Sequence, residues 1–104
     1  MTDYCVVMTT FADDENGKRI IETLISKRLA ACVQVVPIQS YYHWDGKVNC
    51  DAEKLVLIKT RESLYAQVEE TIVSMHAYDT PQVTQIPIKN GFPPYLDWIS
   101  KECE

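Results

Sequence analysis

At 104 residues the chain has the size of one domain, 1–104, able to bury roughly two-thirds of its unfolded surface without staples. Its net charge of −5 argues against nucleic acid, whose phosphate backbone calls for clustered Lys and Arg. The 46% hydrophobic and 24% charged residues are ordinary for a soluble globular protein, and no apolar run approaches a membrane span. Met1-Thr2-Asp3-Tyr4 lacks the basic region and apolar core of a secretory signal, so cytoplasm is the expected compartment.

Cys5 to Phe11 reads as a short first strand. Asp13-Asp14-Glu15 then opens a helix, with acidic residues where the positive end of the macrodipole favours them. Ile20, Ile21, Leu24, Ile25 and Leu29 give that helix an apolar stripe, and Lys27 and Arg28 fall near its C-terminal end.

A long β-hairpin follows, from Leu29 to Thr60, turning at Asp45-Gly46. Asp-Gly between β-rich flanks is a strong hairpin signal, because a two-residue type I′ turn needs φ > 0 at both central positions. Pro37 predicts a bulge or bend near a sheet edge. The return arm from Lys47 to Thr60 spans about 45 Å at roughly 3.3 Å per residue. A compact domain of this length is only about 35 Å across, given a radius of gyration near ~13 Å. The hairpin therefore overhangs its domain and calls for another subunit to cover it.

A second helix, capped by Thr60 or Ser63, carries Leu64, Val68, Ile72 and Met75 on one face and stops before Tyr78-Asp79-Thr80-Pro81. A fourth strand covers Gln82 to Ile88, Asn90-Gly91 makes a turn, and Pro93-Pro94 starts a short last helix. The order is α+β, the ferredoxin-like βαββαβ pattern: an antiparallel sheet with two helices on one face and the other left for a partner. The four cysteines (Cys5, Cys32, Cys50 and Cys103) form no Cys-x-x-Cys pair, and are read as reduced thiols, with Cys103 in a frayed tail the most exposed.

Leu29-Ala30-Ala31-Cys32-Val33, Tyr42-His43-Trp44-Asp45-Gly46-Lys47, Glu53 with Ile58-Lys59-Thr60, His76-Ala77-Tyr78-Asp79-Thr80-Pro81 and Tyr95-Leu96-Asp97-Trp98-Ile99 together resemble the CutA divalent-cation tolerance proteins. The resemblance covers nearly the whole chain. It implies a homotrimer of ferredoxin-like subunits, similar in arrangement to PII-type signalling proteins, with long hairpins pairing sheet edges across subunits. It also implies a link to metal-ion response, copper especially. The metal ligands it implies are a cysteine late in the first strand and two adjacent histidines, positions that correspond here to Thr9, Met75 and His76. His76 is the strong ligand type, Met75 suits copper(I) through its thioether, and Thr9 does not replace a thiolate. Cys5 shares a strand face with Thr9 but sits roughly 13 Å along it. Against a ligand role, His76 also reads as a helix C-terminal residue facing the negative end of the dipole.

A second candidate site gathers Cys32, Tyr42, Trp44, Glu53, Lys59, Tyr78 and Trp98. Aromatic walls with one cation and one carboxylate suit a small ligand between subunits. The same residues also suit an interface, with aromatic anchors and a Lys59–Glu53 ion pair. No catalytic set assembles. The segment after the first strand, Thr9 to Asp14, is acidic and glycine-free, unlike an acylphosphatase phosphate loop. The first strand offers only Phe11 for stacking RNA bases, and Cys-x-x-Cys copper-chaperone ligands are missing. The expectation is a non-enzymatic trimer with no obligatory cofactor, linked to copper or another divalent cation. The alternative is a PII-like scaffold that binds a metabolite or protein at its inter-subunit clefts.

Overall fold

The computed structural model describes residues 3–103; Met1, Thr2 and Glu104, at the ends of the expected domain, lie outside it. The elements are β1 (Tyr4–Phe11), α1 (Asp14–Ser26), β2 (Cys32–Trp44), β3 (Lys47–Arg61), α2 (Tyr65–Met75), β4 (Thr84–Pro87) and α3 (Pro93–Glu102). One antiparallel sheet orders them β2-β3-β1-β4, the ferredoxin-like arrangement expected.

Asp13 caps α1, its carboxylate accepting from the Glu15 and Asn16 N–H groups at 3.0 and 3.1 Å. Gly17 lets the first turn lie against Phe11, since a Cβ there would sit 2.4 Å from the ring. Ile20 and Leu24 are buried, but Ile25 is 43% exposed and falls outside the packed stripe. Lys27 and Arg28 lie just past the last turn. Arg28 takes φ 57°, and the Arg28 N–H to Ile25 O and Leu29 N–H to Leu24 O bonds close a Schellman motif. Its guanidinium reaches the Lys101 carbonyl and Glu102, tying this corner to α3.

Asp45 (φ 54°) and Gly46 (φ 73°) make the type I′ turn, and pairing runs unbroken from Trp44↔Lys47 to Cys32↔Lys59. No bulge forms at Pro37. Counted back from the turn, Pro37 occupies a non-hydrogen-bonded pair on the edge strand, so its missing N–H faces the open edge and costs no ladder bond. β1 reaches only as far as Phe11↔Lys54. Beyond it, residues 38–44 and 47–53 form a two-stranded ribbon roughly 23 Å long. This overhang stretches the subunit to 45 × 26 × 21 Å. Tyr41, Trp44 and Val48 on it are 71, 63 and 68% exposed.

Cys5, Val7, Val56, Ile58 and Thr60 face α1 and α2, where Ile20, Leu24, Val68 and Ile72 complete the core. The opposite face carries Val6, Met8, Val36, Leu55, Leu57 and Ile86, none of them buried. The two helices therefore cover one side of the sheet only. No side chain caps α2; residues Glu62–Leu64 lead in as a single 3₁₀ turn. Thr60 is unavailable as a cap because its hydroxyl donates to the Leu29 carbonyl at 2.6 Å. Asn90-Gly91 lies in irregular chain rather than a turn, before Pro93 starts α3. Cys103 is not in a frayed tail: it is 6% exposed, its Sγ 3.7 Å from Thr60 Oγ1, and Cys50 on the ribbon is the exposed thiol. Ile99, fully buried one turn earlier, pulls the end of α3 inward.

Burial pushes the Cys5 thiol up from 9.0 to about 11, with the nearby Glu62 and Cys103 charges adding to the effect. The fold favours the protonated thiol, so this contribution is complete below pH 9 and lost as pH rises through about 11. The urea midpoint is expected to fall over that range, with a shallower pH slope in Cys5→Ala; an unchanged slope contradicts the assignment.

Candidate functional site

The segment after α2 is held by two polar anchors, one buried and one half-buried. Asn16, 4% exposed, donates from Nδ2 to the Met75 carbonyl at 2.8 Å and accepts the Ala77 N–H on Oδ1 at 3.0 Å. His76 ends α2 with extended backbone. Its Nδ1 accepts the Tyr78 N–H at 3.0 Å, so the ring proton sits on Nε2, which donates to the Thr10 carbonyl at 2.7 Å. Both ring nitrogens are thus used in clamping this segment to the end of β1. The Tyr78 ring lies 4.6 Å from the imidazole, and its hydroxyl donates to Glu53 at 2.6 Å. Burial first, then that hydrogen bond, holds the Tyr78 phenol well above its ordinary value.

Met75 is half-buried against the core. Thr9 is 2% exposed, on the same strand face as Cys5, and its hydroxyl finds no partner. It borders an apolar cavity of about 10 Å³ shared with Phe11, Gly17, Ile20 and His76. A water needs two to four polar partners, and with both His76 nitrogens engaged this cavity does not supply them. Among the described residues no group of three or more His, Cys, Asp or Glu side chains gathers to hold a metal ion.

The second candidate set divides into three places. Glu53 and Tyr78 meet at the root of the ribbon, where Tyr42 also donates its hydroxyl to Asp51. Six residues along β3, roughly 20 Å away, Lys59 stands opposite Cys32 and holds its ammonium 5.6 Å over the Tyr95 ring. Trp98 stacks on Tyr95 at 5.7 Å, so it belongs with Lys59. Trp44 lies exposed at the ribbon tip, apart from both groups. Lys59 and Glu53 therefore cannot pair within one subunit. Tyr95, Asn16 and Asp51 are not among the candidate site residues read from the sequence, although Tyr95 opens the Tyr95-to-Ile99 element. Tyr95 was findable, one helical turn before Trp98; Asn16 carried no local signal.

The ring proton of His76 is expected on Nε2 in long-range ¹H–¹⁵N spectra, and finding it on Nδ1 would remove the clamp as drawn. Thr9→Val keeps the shape and deletes an unpartnered buried hydroxyl, so a gain on the order of 1 kcal/mol in chemical denaturation is expected. A loss of stability would mean that the hydroxyl has a partner.

With this geometry in hand, the chain can be set beside known proteins. Residues 5–102 match the family described as CutA1 divalent ion tolerance protein. The chain is 50% identical over 95 residues to Protein CutA 1, chloroplastic, of Oryza sativa subsp. japonica, covering 90% of this chain and 54% of that one. It thus spans about half the length of that plant relative. The crystal structure of CutA1 from Oryza sativa superposes with a TM-score of 0.94 at 45% identity, over 99% of this chain and 95% of that one. The periplasmic divalent cation tolerance protein CutA from Archaeoglobus fulgidus gives 0.93 at 37% identity, over 97% and 99%. The chain belongs to the CutA1 divalent ion tolerance family.

Proposed function

We propose that this chain is a non-enzymatic homotrimeric protein of divalent-metal tolerance, copper foremost, whose contact with the ion is weak and led by His76 with Met75 as a soft second ligand. Family membership carries the tolerance role. Assembly is supported by the uncovered apolar face, by the open edge of β2, and by a ribbon whose aromatic tip is exposed. The cytoplasm suits the four unpaired thiols, although relatives named for the chloroplast and the periplasm show that the family is not confined to it.

Weak binding follows from the clamp. The lone pair of His76 lies on Nδ1 and already receives the Tyr78 N–H, so an ion must displace that bond before it can coordinate. Thr9 offers no thiolate in support, and Met75 favours copper(I) over zinc. A second reading rests on a different observation: Lys59, Cys32, Tyr95 and Trp98 gather at one end of the uncovered face. There a PII-like scaffold would take a metabolite or a protein between subunits.

Native mass spectrometry of the reduced protein, titrated with copper(I), copper(II) and zinc beside His76→Ala, separates the two. The metal reading expects a trimer that takes up copper(I) and loses it in the variant. A trimer that stays bare, or binds equally well without His76, overturns a direct metal role and leaves the scaffold reading.

A further inference from the structure

We propose that Lys59, backed by the Tyr95–Trp98 stack, is a binding site for a small planar organic carboxylate, closed over by the neighbouring subunit; the site deepens the scaffold reading and rests on it.

Lys59 is half-buried on the uncovered face of the sheet, between Val6 on β1 and Cys32 on β2, with Leu57 two residues behind it. An ammonium in such company calls for an anion, because apolar neighbours take away hydration without replacing it. The described residues supply none within ion-pairing distance. Among the described residues the ion pairs are Arg28–Glu102 and Lys54–Asp14, and no carboxylate lies within ion-pairing distance of Lys59. Its contact is the face of Tyr95 at 5.6 Å, which attracts the charge but accepts none of its three N–H donors in the manner of an oxygen.

The aromatic side of the site is equally open. Tyr95 and Trp98 stack at 5.7 Å with 28° between their planes, yet stay 38 and 41% exposed. A flat ring can extend that stack while its carboxylate meets Lys59. Arg61, two residues further on the same strand face and without a carboxylate in ion-pairing distance among the described residues, adds a second cation. The whole chain carries −5, and Asp97 and Glu62 stand nearby in sequence, so loose anion attraction to the surface is opposed. Retention must come from this local arrangement. Salt should weaken it less than it weakens a surface charge contact.

Isothermal titration calorimetry of the intact protein with benzoate, beside inorganic phosphate and an aliphatic carboxylate of the same charge, reads this directly, with light scattering on each sample. Benzoate is expected to bind with a dissociation constant on the order of 1 mM or tighter, ahead of both other anions. Lys59→Met should weaken it at least about tenfold, Trp98→Leu about threefold or more, and Lys59→Arg should retain most of it. If Lys59→Met does not fold, the Trp98→Leu comparison and the anion ranking carry the same test. Benzoate bound no better than phosphate overturns the planar-ligand assignment. Equal binding in Lys59→Met overturns the site. A trimer without a heat of binding overturns the site and leaves the assembly standing; a silent monomer overturns the assembly on which it rests.

Discussion

The register of the β2–β3 ladder is the constraint on which the rest of this molecule depends. It is set at the Asp45-Gly46 turn, where both residues take positive φ, and it continues without a bulge to Cys32↔Lys59. A slip of one residue would send Val56, Ile58 and Thr60 to the uncovered face and Leu55, Leu57 and Lys59 into the core. The same register puts Glu53 at the root of the ribbon within reach of Tyr78, and Lys59 at the far end beside α3. Two separate polar places on one strand face are thus products of one turn.

The second constraint is the pair of polar side chains, Asn16 buried and His76 half-buried, that fixes the chain after α2. Asn16 uses its amide as both donor and acceptor, and His76 spends both ring nitrogens. Leaving a polar group of the interior unpaired costs about 1–3 kcal/mol, so these bonds hold the segment firmly. This explains how a histidine of ligand type can also be a fastening. Its coordination chemistry and its structural work draw on the same lone pair, and any ion competes with the protein for it.

Much of the fold was legible because its signals are local. The type I′ turn, the acidic start of α1, the 3- and 4-residue apolar spacing and the prolines of α3 each act within a few residues. Even the overhang could be reckoned from strand length alone. The misreadings have a common cause. Ile25 continues the apolar spacing of α1 but lies beyond the reach of the sheet, Thr60 is drawn from capping by the Leu29 carbonyl, and Cys103 is pulled inward by Ile99. In each case a distant partner decides, and its distance in sequence hides it.

The sequence by itself determined the element order, the hairpin and its turn, the one-sided helix cover and the family, because these follow from spacing, turn chemistry and motif order. Only the tertiary structure decided which named residues meet. It separated Lys59 from Glu53 by six positions of extended strand, joined Lys59 to Tyr95 and Trp98, and showed the lone pair of His76 in use. The physical reason is that strand geometry carries residues apart at a fixed rise per position, while the packing of α3 and of the segment after α2 brings together side chains that no local pattern relates.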